Sequence, residues 1–206
     1  MEDSVDENSP LRDFNILVPV DTASRAQHLL PIALNLVGEG PKSQVALIGI
    51  TPVEPDAHLS DGTLLAQRLR SDLDSLADFD ERISRIAGSV VSHNPWDDIE
   101  DLIEERLEDR DLLLLPWQPD SKYLQADLGE ILRNPPCDVA IVKPALHSFE
   151  LRRILLPVRG GPFANLSLQL AVRMARASNA EITLLRVISS DDDPMSQVLR
   201  ERFTGL

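Results

Sequence analysis

Two kinds of apolar segment alternate along the chain. Short runs of valine, isoleucine and leucine, namely FNILVPV (14–20), QVALIGITPV (44–53), DLLLLPW (111–117) and CDVAIVKP (137–144), have no helical period and suit strands buried on both faces. ISRIAGSVVS (83–92) reads as a third strand in chain order because of its β-branched residues. Between the strands the period changes. SRAQHLLPIALNLV puts Ala26, Leu29, Leu30, Ala33, Leu34 and Val37 on one helical stripe, which GEGP breaks. Pro31 in that stripe should kink the helix or sit near its first turn. A second amphipathic segment, about 60–83, carries Leu64, Leu65, Leu69, Leu73 and Leu76.

A third helix runs through DDIEDLIEERLE, with Ile99, Leu102, Ile103 and Leu107 inward and Asn94 or Asp97 as its cap. A short helix is expected around 124–133, before the strand closed by Pro144. Strands that alternate with helices in this order are accommodated by a parallel sheet covered on both faces. The expected fold is therefore α/β: an open, mainly parallel five-stranded sheet over 13–144, with strands at 14–20, 44–51, 85–92, 111–116 and 138–143. Leu17, Val18, Ile48, Leu113, Leu114, Val139 and Ile141 are the expected core.

The chain then starts again. ILVPVDTAS at 16–24 returns 138 positions later as ILLPVRGGP at 154–162, followed by a helix over 164–177 and the strand AEITLLRVI. The expected organisation is an acidic linker (1–12), one repeat (13–144) and a partial second repeat (151–206). Two parallel strands with little to cover them would leave a sheet edge and an unfinished core, so the second repeat should dock on the first or on a partner chain.

Charge narrows the function. Net charge is −14 over 206 residues, which opposes binding to a nucleic-acid backbone or an anionic membrane surface. Residues 1–150 hold 12 Lys or Arg against 29 Asp or Glu, net −17; residues 151–206 hold 8 against 5, net +3. The single Cys137 has no partner for an internal disulfide, which fits a reducing compartment, and the acidic start MEDSVDENSP is unlike a signal peptide. His28, His58, His93 and His147 are scattered without ligand spacing, and no Ser-His-Asp, Cys-His or paired-carboxylate arrangement stands out. Asp191, Asp192 and Asp193 precede Pro194 as a helix start rather than as a calcium cluster. No metal, no cofactor and no enzyme are expected.

ILVPVD, the alanine- and leucine-rich helix after it, a second strand ending in valine, and PCDVAIVKP before a renewed start together resemble the universal stress protein family in tandem arrangement. The resemblance implies the adenine nucleotide alpha hydrolase-like fold, over about 13–144 and again over the front of a repeat at 151–206. In nucleotide-binding members an aspartate ending the first strand meets the adenine and ribose side; Asp21 holds that place, and Val53 is the match to the valine that frames the base. The phosphates are held by a loop after the fourth strand with the pattern G-x2-G-x9-G-[ST], because close backbone N–H groups need glycine and a hydroxyl adds a donor.

Here that loop is PWQPDSKYLQADLGEIL. Counting back from PC places Gln125 and Ala126 at the G-[ST] pair, Gly129 is out of register, and Pro116 and Pro119 remove two N–H donors. In the second repeat Arg159, Gly160 and Gly161 stand where the aspartate would be. They read either as an anion site or as a plain strand-to-helix turn started by Pro162. Asp21 likewise reads either as a ligand contact or as the N-cap of the first helix.

What the resemblance implies for function is a non-catalytic, cytoplasmic regulatory and dimerising domain. It would be the tail of a secondary transporter of the amino-acid permease, cation–chloride cotransporter or cation/proton antiporter type. The alternatives are a free-standing stress protein that does not bind ATP, and a nucleotide sensor with a relocated site for ATP, AMP or a cyclic dinucleotide. In this family the last strand often pairs with its counterpart in a neighbouring repeat or subunit, so a homodimer is expected through 137–144, with Cys137, Val139, Ile141 and Lys143, together with elements of 151–206.

Overall fold

Among the described residues of 14–143 there are six parallel strands and four α-helices. The computed structural model describes residues 14–38, 43–85, 89–106, 112–119, 122–143, 151–159 and 164–186. The chain divides into two compact units, Met1–Glu150 and Leu151–Leu206.

In the first unit the opening run forms β1 (Asn15–Val20), α1 follows (Ala23–Val37), and β2 is Gln44–Pro52. A 3-10 turn (Leu59–Gly62) leads into α2 (Thr63–Ala77), then come β3 (Ile83–Arg85), β4 (Val90–Ser92) and α3 (Pro95–Arg106). β5 (Leu112–Pro116) is followed by a small hairpin of β6 (Lys122–Tyr123) and β7 (Ala126–Asp127), a single turn α4 (Leu128–Ile131), and β8 (Asp138–Val142). The strands lie in the order β3-β2-β1-β5-β8, with β4 also on β2. Among the described residues the pairings between β1, β2, β3, β4, β5 and β8 are all parallel.

Alternation along the strands divides the core into two layers. Leu17, Ala46, Ile48, Ile50, Leu113 and Leu115 pack with Ile99 and Ile103 of α3, Leu128 and Ile131 of α4, and Tyr123 and Leu124 of the hairpin. On the other face of β2, a Cβ on Gly49 would meet Leu73 Cδ1 at 2.9 Å and Leu69 at 3.1 Å, so the missing side chain is what lets α2 lie against the strand.

Several expectations change. The strand expected at 85–92 is two short ones, β3 and β4, making six in the sheet rather than five. Val139 and Ile141 are half-buried rather than buried, because β8 is an edge strand whose one ladder partner is β5. Leu64 and Leu65 do not join the buried stripe of α2, which consists of Ala66, Leu69, Leu73 and Ala77. Of the two places expected for Pro31 the structure has the one inside α1, beyond the first turn, and on the exposed side of the helix rather than in the buried stripe.

The second unit holds β9 (Arg153–Pro157), α5 (Ala164–Ser178) and β10 (Glu181–Leu185), with the two strands parallel. Asp191, Asp192 and Asp193, His147 and the acidic leader lie outside the described residues.

Candidate functional site

Asp21 follows the last residue of β1, at the carboxyl end of a central strand, which is where open α/β sheets present ligand-binding groups. It does not cap α1. That role falls to Thr22, in extended conformation, whose Oγ1 accepts the N–H of Arg25 at 3.3 Å. One turn into the helix, Arg25 Nη1 pairs with Asp21 Oδ2. The same guanidinium carbon lies 5.3 Å from the centroid of the Tyr123 ring, within cation–π range.

Tyr123 arrives from the segment where a phosphate-holding loop was expected. The hairpin pairs Lys122 with Asp127 and Tyr123 with Ala126, closed by Leu124 and Gln125 at φ 49° and 66°. The hairpin carries the tyrosine ring into the core at 2 % exposure, and its hydroxyl donates to the carbonyl of Pro19 at 2.7 Å. Burial pushes the Tyr123 hydroxyl far above its ordinary pKa; the Asp21 charge adds to the rise and Arg25 opposes it. The phenol is therefore a permanent donor.

Arg25 thus pairs with Asp21 and lies over Tyr123 at the place where the resemblance expects a base and ribose. One atom is left over: Asp21 Oδ1 is buried and has no hydrogen-bond partner. It is the group that a ligand hydroxyl or amine would satisfy. The phosphate side is no better furnished. Gln125 is exposed and has a side chain where the resemblance calls for glycine, and Asp127 caps α4 by accepting from the N–H groups of Gly129 (2.8 Å) and Glu130 (3.1 Å). A carboxylate already occupies the donors that an anion would need.

Val53 is not brought level with Asp21. Val20 pairs with Gly49, so Val53 stands three positions beyond Asp21, roughly 10 Å further along the strand direction. Its N–H donates to the Ser92 carbonyl at 2.9 Å, and its side chain packs on Gly62, where an added Cβ would come within 2.9 Å of Val53 Cγ1 and 2.6 Å of Val91 Cγ1. Arg159 lies exposed just after β9 in the second unit; Gly160 and Gly161 lie outside the described residues, so the RGGP turn has no described geometry.

The residues expected at the dimer contact lie on and around β8. Cys137 is half-buried, its thiol donating to the Asp138 carbonyl at 3.5 Å, and Cys137, Val139 and Ile141 pack against the inner cluster. Lys143 is exposed, with Nζ 4.5 Å from the ring centroid of Trp117; the backbone N–H of Trp117 donates to the Val142 carbonyl at 2.7 Å. Trp96 packs against the core edge, and its Nε1 donates to Glu100 at 2.7 Å.

Sequence reasoning missed Arg25 and Tyr123. The available signal was the chain's single tyrosine, set beside a leucine in an otherwise polar loop. Arg25 is one turn beyond Asp21, the i,i+4 spacing of a helical ion pair.

Among the described residues no helix is long and apolar enough to cross a membrane, and no group of three or more His, Cys, Asp or Glu could hold a metal ion. Residues 150–204 match the model of the Universal stress protein family. No curated protein matches the chain. Among solved structures, the cytoplasmic domain of a prokaryotic cation chloride cotransporter is similar at 14% identity and TM-score 0.60, over 92% of this chain and 74% of that one. A universal stress protein from Archaeoglobus fulgidus DSM 4304 is similar at 16% identity and TM-score 0.62, over 92% and 72%. The chain therefore has the fold shared by these two proteins, and its residues 150–204 carry a match to the universal stress protein family.

Proposed function

We propose that the chain is a non-catalytic regulatory and dimerisation domain, the cytoplasmic tail of a membrane transporter of the amino-acid permease or cation–chloride cotransporter type, and that it does not hold ATP as nucleotide-binding stress proteins do. The observation that carries this reading is the mutual engagement of Asp21, Arg25 and Tyr123 at the carboxyl end of β1. Arg25 holds the Asp21 carboxylate that a nucleotide would need, and the segment expected to hold phosphates lacks glycine at 125. The likeness to a cotransporter's cytoplasmic domain supports a place beside a membrane carrier. In this reading two copies associate through the open edge of β8, with Cys137, Val139, Ile141 and Lys143 at the contact.

Two measurements test it. Millimolar ATP with magnesium is expected to move the melting temperature by less than about one degree, whereas ligand at 100 times its dissociation constant would stabilise the fold by about 2.7 kcal/mol and shift melting by several degrees. An antibody against the domain is expected to detect a membrane-bound polypeptide well above 22.9 kDa in cells that make it. A soluble 22.9 kDa band alone would overturn the tail and leave a free-standing stress protein; a large ATP shift would favour the sensor.

A further inference from the structure

Hydrogen bonding to β5 fixes which backbone groups β8 leaves on its open side. Along a strand in a parallel pair, every second residue turns both its N–H and its C=O to the neighbouring strand, and the residues between turn theirs away. The Val142 carbonyl accepts the backbone N–H of Trp117 at 2.7 Å, one step beyond the registered pair of Pro116 and Val142. Val142, Ala140 and Asp138 therefore direct their backbone groups at β5, and Val139 and Ile141 direct theirs outward. Among the described residues β5 is the one strand that pairs with β8. Lysine commonly guards such an edge, but Lys143 Nζ lies 4.5 Å from the ring centroid of Trp117, drawn toward the end of β5 and away from the open side.

A second copy fits this edge in one register. Two identical edges joined into one sheet by a two-fold axis run antiparallel, and a hydrogen-bonded antiparallel pair needs an outward residue from each strand. Val139 and Ile141 stand on either side of Ala140, so an axis at Ala140 sets Val139 opposite the partner's Ile141 and Ile141 opposite the partner's Val139. All of Asp138–Val142 is then paired, with apolar side chains facing each other. The two Asp138 carboxylates would stand roughly 14 Å apart along the strands, beyond the Debye length of about 8 Å. An axis at Val139 would shorten the overlap and bring those carboxylates to roughly 7 Å. An axis at Ile141 would shorten it too, and would set Val139 against the partner's Lys143. We propose that β8 is a self-complementary edge that joins two copies of this chain antiparallel about an axis at Ala140. The inference rests on the dimerisation reading and adds its register.

Cysteine cross-linking of the full chain tests that register. In a Cys137→Ser background, Val139→Cys, Ala140→Cys and Ile141→Cys are oxidised separately at micromolar concentration, and the products are separated by size without reductant. At the axis, residue 140 and its mate form a non-hydrogen-bonded pair with Cα atoms about 4.5 Å apart, inside the disulfide range of about 4.4–6.8 Å. The mates at 139 and at 141 would lie about 8 Å apart, outside it. Ala140→Cys is therefore expected to form the covalent dimer at least about tenfold faster than either neighbour. Fastest cross-linking at 139 or 141 would overturn the register and leave the dimer through β8 standing. A sedimenting dimer with no cross-link at any of the three positions would remove β8 from the contact and overturn the inference with it. A chain that stays monomeric would overturn both the register and the dimerisation reading.

Discussion

Tyr123 donates its hydroxyl hydrogen bond to the carbonyl of Pro19 at 2.7 Å, linking residues 104 positions apart. Pro19 has no N–H to give to a ladder, and β1 pairs with β5 at Ile16 and Leu17, short of Pro19. The phenol thus satisfies a central-strand carbonyl beyond those pairs. Removing the hydroxyl alone, in Tyr123→Phe, leaves that buried carbonyl without its partner and should cost about 1–3 kcal/mol. Tyr123→Ala also empties a fully buried site and should cost about 3–5 kcal/mol. Urea midpoints measure both, and a Phe variant as stable as the parent would remove the hydroxyl from this account.

A second long-range tie closes the amino half of the sheet. Arg82 Nη2 pairs with Asp80 at 2.6 Å, and its Nη1 donates to the Gly38 carbonyl, at the end of α1, at 3.1 Å. The hydrogen bond from Arg82 holds the Asp80 carboxyl below its ordinary pKa, against a smaller opposing effect of burial. A folded-state pKa that is depressed gives stability present above the unfolded value and lost as pH falls through the folded one. Asp80→Asn should therefore be less stable than the parent at pH 6, with the difference shrinking as pH drops below about 4. Melting curves across that range decide it; a difference constant with pH would separate Asp80 from the ion pair.

Much of this architecture was legible in the sequence because burial on both faces leaves unmistakable strands: Ile16, Leu17 and Val18, and Leu112 to Leu115, are inaccessible to water. What was not legible came from context. β4 reads as part of one strand with β3 because the pattern does not show where pairing to β2 is interrupted. Leu64 and Leu65 look like members of the α2 stripe because a three-and-four spacing does not say which of two neighbouring stripes faces the sheet. The prolines and missing glycines of 116–132 were legible, yet the structure that this segment forms was not: a loop's sequence does not reveal that a hairpin will carry Tyr123 104 positions back to Pro19.

The edge strand β8 makes a prediction about assembly. Among the described residues its ladder is with β5 alone, and Val139 and Ile141 are only half-buried. An apolar edge with open N–H and C=O groups pairs with another strand unless it is blunted, and Asp138 and Lys143 bound it only at its ends. Sedimentation at micromolar concentration is expected to show a dimer, and Ile141→Glu to return it to monomer by placing like charges across the two-fold. A parent chain that sediments as a stable monomer would end the proposal for this edge.

The hairpin turn gives the last prediction. Leu124 and Gln125 both have positive φ, the arrangement of a two-residue type I′ turn that asparagine and glycine normally occupy. Each such L-residue costs about 1–2 kcal/mol. Leu124 recovers that cost by burying its side chain in the inner cluster, whereas exposed Gln125 does not. Replacing Gln125 with glycine removes the strain but adds unfolded-chain freedom worth about 0.5–1 kcal/mol. The net expectation for Gln125→Gly is stabilisation of about 0.5–1 kcal/mol, seen as a higher urea midpoint with an unchanged slope. The same variant restores glycine at the position where nucleotide-binding relatives are expected to have it. If Arg25 and Tyr123 are what close the site, the variant should gain stability without gaining an ATP-dependent shift in melting. A shift appearing with this one substitution would mean that the missing glycine, rather than the Asp21–Arg25–Tyr123 cluster, is what keeps nucleotide out.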